Sequence, residues 1–95
     1  MEPLRVLIAD DHPLFRHGMT GLLSTQPDIE VVGEATTGEE AVERVEELQP
    51  DVVLMDIKMP GISGIEATRR ILADHSQVRI LMVTMFEDDA SVFTA

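Results

Sequence analysis

Acidic residues follow the ends of two apolar runs that lie far apart in the chain. Asp10 and Asp11 follow LRVLIA, Asp56 follows VVLM, and a third run, RILMV, ends at Thr84. Carboxylates held close together repel one another, and a divalent cation removes that conflict. Oxygen ligands without sulfur favour Mg²⁺, and a carboxylate beside Mg²⁺ can attack a phosphoryl group as a nucleophile. These residue types therefore indicate metal-assisted phosphoryl transfer, provided that the fold brings them together.

Each of these residues has an expected role at such a site. We expect Asp11 and Asp56 to bind Mg²⁺ directly and Asp10 to act through a water molecule. Asp56 is also the candidate nucleophile, and the Thr84 hydroxyl could donate a hydrogen bond to a transferred oxygen. A simpler interpretation stays open for each aspartate alone, because an aspartate after a strand commonly forms a turn or caps a helix. His12 could touch the metal, although we expect it to be a loop or helix-start residue.

The positions of these residues depend on an alternation of strands and helices. Four apolar runs rich in β-branched residues predict strands at Leu4–Ala9, Ile29–Ala35, Asp51–Met55 and Arg79–Thr84. Spacings of three and four, together with capping-box patterns at Thr37 and Ser63, predict three helices. This order calls for a doubly wound α/β fold, with a parallel sheet covered by helices on both faces. The site of such a fold lies at the carboxyl ends of its strands.

The helical spacing also predicts which side chains face the sheet. The first helix, from Pro13 to about Ser24, is expected to bury Leu14, Phe15, Gly18, Met19, Leu22 and Leu23. The second, from Gly38 to Leu48, is expected to bury Ala41, Val42, Val45 and Leu48. The third, opening at Ser63, is expected to bury Ile65, Thr68, Ile71 and Leu72.

Composition limits the class of protein. The chain has 95 residues, of which 44% are hydrophobic and 26% charged, and this size suits one globular domain. It contains no cysteine, no apolar window long enough for a membrane span and no signal-peptide pattern, so a cytoplasmic location is expected. The net charge of -11 disfavours contact with nucleic acid. Most of the acids, Glu39 among them, are expected to form a solvated surface.

Several motifs resemble the receiver domain of bacterial two-component response regulators. The segments ADDHPLFRHGMTGLL, VVGEATTGEEAV and DVVLMDIKMPGISGIEATRRI look like the NarL/FixJ class, and the resemblance runs from Arg5 to Ala95. It implies a flavodoxin-like fold in which Asp56 receives a phosphoryl group from a sensor histidine kinase. It also implies that Asp10, Asp11 and the backbone carbonyl of Lys58 hold Mg²⁺.

The resemblance further implies how such a domain passes on its signal. Thr84 would be the switch hydroxyl that moves toward the phosphate. In this class phosphorylation typically regulates homodimerisation, and DNA is contacted through a C-terminal helix-turn-helix domain that this segment does not contain. No membrane contact is expected.

The chain departs from the family pattern at its C-terminal end. Family receivers continue into a fifth strand, with a lysine that pairs with the phosphate, and a fifth helix, whereas Lys58 is the only lysine here. We therefore expect residues 1–95 to be a receiver domain that is incomplete at its C-terminus, with an apolar edge from Ile80 to Val83. The missing lysine keeps open an alternative, a phosphorylation-silent interaction or dimerisation module.

Two further alternatives fit the sequence less well. An aspartyl phosphatase would need a second acid two residues after Asp56, where Lys58 stands. A nucleotide-binding flavodoxin-like protein would need a glycine-rich loop after the first strand, where the acidic pair would repel phosphate.

Overall fold

A computed structural model describes residues 2–83 as seven alternating strands and helices. The strands are β1 (Leu4–Ala9), β2 (Ile29–Ala35), β3 (Val52–Asp56) and β4 (Arg79–Val83), and the helices are α1 (Pro13–Leu23), α2 (Gly38–Leu48) and α3 (Gly64–Asp74). All predicted elements are present, with β3 shifted by one residue. Thr84 and the expected lack of a fifth strand and helix lie outside the described residues. Across residues 2–83, no helix is long and apolar enough to cross a membrane.

The strands form one parallel sheet in the order β2-β1-β3-β4. The chain runs outward from β1 to β2 and then crosses back to β3 on the other side of β1. This reversal is the topological switch point of a doubly wound fold, which confirms the predicted fold class. Ala9 pairs with Met55, so the residues that follow them, Asp10 and Asp56, leave the sheet side by side.

The two faces of the sheet are covered by different helices. Helices α2 and α3 pack on one face around a buried cluster that contains Leu7, Val45, Val53, Met55 and Ile71. Helix α1 covers the other face, where Val6, Ile8 and Leu54 are buried beneath partly buried side chains. The four strands thus hold the loops at their carboxyl ends between two apolar layers.

Helix faces agree with the prediction in full only in α2. Ala41 and Val45 are buried there, with Val42 and Leu48 partly buried against the core. On α1, by contrast, Leu14 and Leu22 are 86% and 62% exposed, so their predicted burial is wrong. Within residues 2–83, α1 is the only helix on its face, and apolar residues at the side of its stripe meet no neighbouring helix.

Helix α3 buries a narrower stripe than its sequence predicts. Gly64, Ala67 and Ile71 are buried, whereas Ile65 and Leu72 are 58% and 40% exposed, which corrects their predicted positions. Small residues at 64 and 67 let the helix backbone approach its neighbours closely. The two large side chains then lie beyond the line of contact.

Candidate functional site

Only one of the two Asp10 carboxylate oxygens stabilises the turn in the loop after β1. Asp10 is 1% exposed, and its Oδ1 accepts a hydrogen bond from the backbone N–H of His12 at 2.7 Å. This is the turn-forming role that the simpler interpretation proposed for an aspartate after a strand. Asp10 Oδ2, however, makes no hydrogen bond within the described part of the chain. One oxygen therefore shapes the loop while the other is left for a ligand.

Asp56 is the corresponding residue at the end of β3. Its side chain is 2% exposed, and its Oδ1 accepts a long hydrogen bond of 3.4 Å from the backbone N–H of Lys58. Asp56 Oδ2 has no hydrogen-bond partner among residues 2–83. One ligand atom from each of Asp10, Asp11, His12 and Asp56 lies within 4.8 Å of the others. The structure therefore brings together the three predicted carboxylates and adds the imidazole.

Burial and like charge act together on Asp56. Burial is the main cause that raises the pKa of Asp56 above its ordinary value of 3.8, and the charges of Asp10 and Asp11 raise it further. The Lys58 N–H and the His12 side chain oppose this shift. The ionised carboxylate is thus costly here, and a nearby cation would offset that cost.

The donor set fits Mg²⁺. The unpartnered oxygens of Asp10 and Asp56 each carry a desolvation cost of about 1–3 kcal/mol or more. A hard divalent cation prefers oxygen ligands of this kind and would satisfy both, directly or through a bound water molecule. Asp11, whose side chain is 31% exposed, adds a third carboxylate, and its Oδ1 is also buried without a hydrogen bond within residues 2–83.

The loop between β3 and α3 is held by its glycines and by α2. Gly61 has a φ of 79°, a left-handed conformation that glycine adopts without strain. Gly64 donates its N–H to the carbonyl oxygen of Ile57 at 2.9 Å. Glu39, in the first turn of α2, accepts a hydrogen bond from the Ile62 N–H at 3.3 Å. Glu39 is thus more than a surface charge, although an acid in a first helical turn is too common to signal this contact.

Arg16 is a second residue whose role sequence reasoning missed. Its Nη1 donates to the backbone carbonyl oxygen of Asp10 at 2.9 Å, and its Nε donates to Glu34 Oε1 at 2.8 Å. Thr20 Oγ1 donates to the other Glu34 oxygen at 3.1 Å. The guanidinium therefore ties α1 and β2 to the main chain at Asp10. An arginine at a helical spacing gives no sequence signal for this contact.

The family profile for the response regulator receiver domain matches residues 6–95. The chain belongs to the response regulator receiver family. The receiver is 50% identical over 86 residues to the response regulator GacA of Pseudomonas viridiflava, an alignment that covers 90% of the receiver chain and 40% of GacA. It therefore spans less than half the length of that relative.

Solved structures agree with this assignment. The response regulator domain of Thermotoga maritima CheB superposes with a TM-score of 0.85 at 40% identity, covering 98% of the receiver chain and 69% of that domain. A LuxR-family two-component response regulator from Aurantimonas sp. SI85-9A1 superposes with a TM-score of 0.84 at 40% identity. This match covers 98% of the receiver chain and 65% of that protein chain. These similarities confirm the flavodoxin-like receiver fold. The LuxR-family structure agrees with the predicted NarL/FixJ class.

The roles of two further residues implied by the resemblance, Lys58 and Thr84, are not tested by the described structure. Lys58 lies in the loop directly after Asp56, and its backbone N–H is the group that reaches the Asp56 carboxylate. Thr84 lies outside the described residues, next to Val83, which pairs with Asp56. Their roles as a metal-binding carbonyl and a switch hydroxyl stay predictions.

Replacing Arg16 in this receiver tests the contact that holds the Asp10 loop. Arg16→Ala is expected to lower the free energy of unfolding by about 1–2 kcal/mol, because Glu34 and the Asp10 carbonyl lose a charged donor. Arg69→Ala, which removes an exposed ion pair with Glu66, is the matched control. This variant should change the free energy of unfolding by less than about 0.5 kcal/mol. Urea unfolding measures both variants. Equal effects would mean that the Arg16 contacts contribute no more than a surface ion pair.

Proposed function

We propose that this receiver accepts a phosphoryl group on Asp56 from a phosphohistidine of a sensor histidine kinase. The observation that supports this most is the position of Asp56, whose buried carboxylate lies at the switch point beside Asp10 and Asp11 with one unpartnered oxygen. Aspartate is a known covalent nucleophile toward phosphoryl groups. A carboxylate placed there would meet a partner's phosphohistidine at the open end of the sheet.

The phosphoryl group would be transferred by an in-line displacement at phosphorus, in which one bond forms and one breaks. An Asp56 carboxylate oxygen forms the new O–P bond while the bond from phosphorus to the histidine nitrogen breaks, and that nitrogen keeps the electron pair. The product is an acyl phosphate on Asp56. Rigid placement at the end of β3 lowers the entropic cost of reaching this geometry. Burial raises the proton affinity of the carboxylate, and a nearby cation would favour its ionised, nucleophilic form.

Mg²⁺ would be held by Asp10, Asp11, Asp56 and the Lys58 carbonyl. The ion would supply positive charge for the phosphoryl oxygens. Within the chain, the turn at Asp10 and the Arg16 contact fix the direction of the acidic loop. Asp11, which is more exposed than Asp10, is suited to direct ligation, and Asp10 to contact through water. We assign the Thr84 hydroxyl to a hydrogen bond with the transferred phosphoryl group.

The proposed output rests on membership of the family. We propose a cytoplasmic two-component pathway in which phosphorylation of residues 1–95, as the receiver part, promotes homodimerisation. Transcriptional control would then act through a helix-turn-helix domain of the full-length protein. This segment, with a net charge of -11, would not contact DNA itself.

Intact mass after incubation with a small phosphodonor tests the phosphoryl transfer. The wild-type chain should gain one phosphate only when Mg²⁺ is present, and Asp56→Asn should gain none. Asp74→Asn, an exposed aspartate at the end of α3, is the matched control and should be modified like the wild type. If wild type and Asp74→Asn gain no phosphate with Mg²⁺, the proposal fails and a phosphorylation-silent interaction module becomes the better interpretation.

A further inference from the structure

The His12 side chain lies among the three carboxylates of the site. Its Nδ1 is 2.8 Å from Asp10 Oδ1, 3.2 Å from Asp11 Oδ1 and 3.6 Å from Asp56 Oδ2. The sequence predicted a loop or helix-start residue, and His12 is the N-cap of α1, but its side chain makes no capping hydrogen bond to that helix. The imidazole is directed at the carboxylates instead.

These separations, the shortest of which is also a hydrogen bond, lie close to the ligand–ligand distances of a metal coordination polyhedron. Ligands at about 2.1 Å in octahedral geometry lie roughly 3.0 Å from their neighbours, and ligands at about 2.0 Å in tetrahedral geometry lie roughly 3.3 Å apart. The three distances from Nδ1 fall on both sides of these values. One ligand atom from each of the four residues lies within 4.8 Å of the others, so shifts of at most about 1.5 Å would bring them to tetrahedral spacing around one ion.

A second observation also indicates a ligand at this point. Asp10 and Asp56 are 1% and 2% exposed, yet Asp10 Oδ2 and Asp56 Oδ2 make no hydrogen bond within residues 2–83. Buried carboxylate oxygens are normally paired or bound to metal. The cluster is therefore more than a group of acidic residues on the surface.

We propose that His12 Nδ1 is a nitrogen ligand of this site, so that the site binds Zn²⁺ through one imidazole and three carboxylates. The inference rests on the proposed function only in that both use the same metal site. Imidazole suits Zn²⁺ and neighbouring transition ions, whereas Mg²⁺ favours oxygen ligands. Four protein ligands around tetrahedral Zn²⁺ leave no position for a phosphoryl oxygen. Zn²⁺ therefore competes with Mg²⁺ and opposes phosphorylation of Asp56.

Metal titration by calorimetry, without a phosphodonor, tests the proposal at one mildly alkaline pH where the ligands are deprotonated. His12→Asn keeps the backbone N–H that binds Asp10 and removes the imidazole. It should weaken Zn²⁺ binding at least about tenfold, since even outer-sphere changes at metal sites cost about 10–100-fold. Mg²⁺ binding should change by less than about twofold, as expected for an ion that prefers oxygen. His17→Asn, an exposed histidine of α1, is the matched control and should leave both unchanged.

Nitrogen-15 NMR of the wild-type imidazole gives a readout that does not depend on a variant. Added Zn²⁺ should shift the His12 Nδ1 resonance strongly, and added Mg²⁺ should not. Equal Zn²⁺ affinity in wild type and His12→Asn, or an unshifted Nδ1 resonance, overturns the inference. Mg²⁺-dependent phosphorylation of Asp56 would still stand in that case. Absence of binding by either metal would overturn this inference and the proposed metal site together.

Discussion

Gly64→Ala is expected to lower the free energy of unfolding by at least about 3 kcal/mol. A Cβ at this position would overlap the backbone carbonyl oxygen of Asp56 and would lie 3.0 Å from the Asp56 carbonyl carbon and from Ile57 Cα. These are backbone atoms, so no flexible side chain can move aside. The substitution would push α3 away from the end of β3, the segment that carries the candidate nucleophile.

Gly18→Ala is the matched control for this change. Gly18 lies within α1, and a Cβ there meets no atom within 4 Å. Alanine should therefore stabilise the chain by up to about 1 kcal/mol through its higher helix propensity. Urea unfolding of both variants against wild type measures the difference. A Gly64→Ala variant as stable as wild type would show that the close approach to Asp56 is not needed for folding.

Asp56→Asn is expected to stabilise the metal-free chain by about 1–3 kcal/mol at neutral pH, because a neutral amide is cheaper to bury without a partner than a carboxylate. The raised pKa of Asp56 sets the direction of the pH dependence. Between the ordinary value of 3.8 and its raised folded value, the native state binds more protons than the unfolded state. The contribution of Asp56 to stability is thus complete below 3.8 and is lost as pH rises through its folded pKa.

Urea unfolding in the presence of a chelator, at about pH 4 and about pH 7.5, measures this effect. The advantage of Asp56→Asn over wild type should be large at the higher pH and small at the lower one. Saturating Mg²⁺ should remove most or all of this advantage, since a ligand present at 100 times its Kd stabilises wild type by about 2.7 kcal/mol. Asp74→Asn should follow wild type throughout. A variant less stable than wild type in chelator would contradict the buried-charge explanation.

The two substitutions are expected to change stability in opposite directions, although they affect neighbouring atoms. The backbone at Asp56 packs so tightly against Gly64 that one added carbon is costly. The carboxylate on the same residue, in contrast, is expected to lower the free energy of unfolding in the absence of a cation. A site that binds metal and phosphate commonly retains such a local cost because its function needs the charge.

Most of the fold could be predicted from the sequence because its signals are local. The strands β1 and β2 and helix α2 lie where apolar runs, helical spacing and the Thr37 cap predicted them. The rule that parallel strands share their carboxyl ends was enough to bring Asp10 and Asp56 together. Residue pattern and chain direction therefore determined the architecture and the acidic centre of the candidate site.

Only the tertiary structure decided which side chains support that centre and which are buried. Arg16 reaches Glu34 across 18 positions of sequence and Glu39 reaches Ile62 across 23, contacts that no local pattern encodes. The exposure of Leu14 likewise depends on which elements pack beside α1, a property of the assembled layers rather than of helical period. His12 was predictable as the start of a helix, but the direction of its ring followed from the register that places β1 beside β3. Local sequence patterns thus determine the strands, the helices and the positions of the carboxylates. Long-range packing determines which side chains are buried and which ones contact the site.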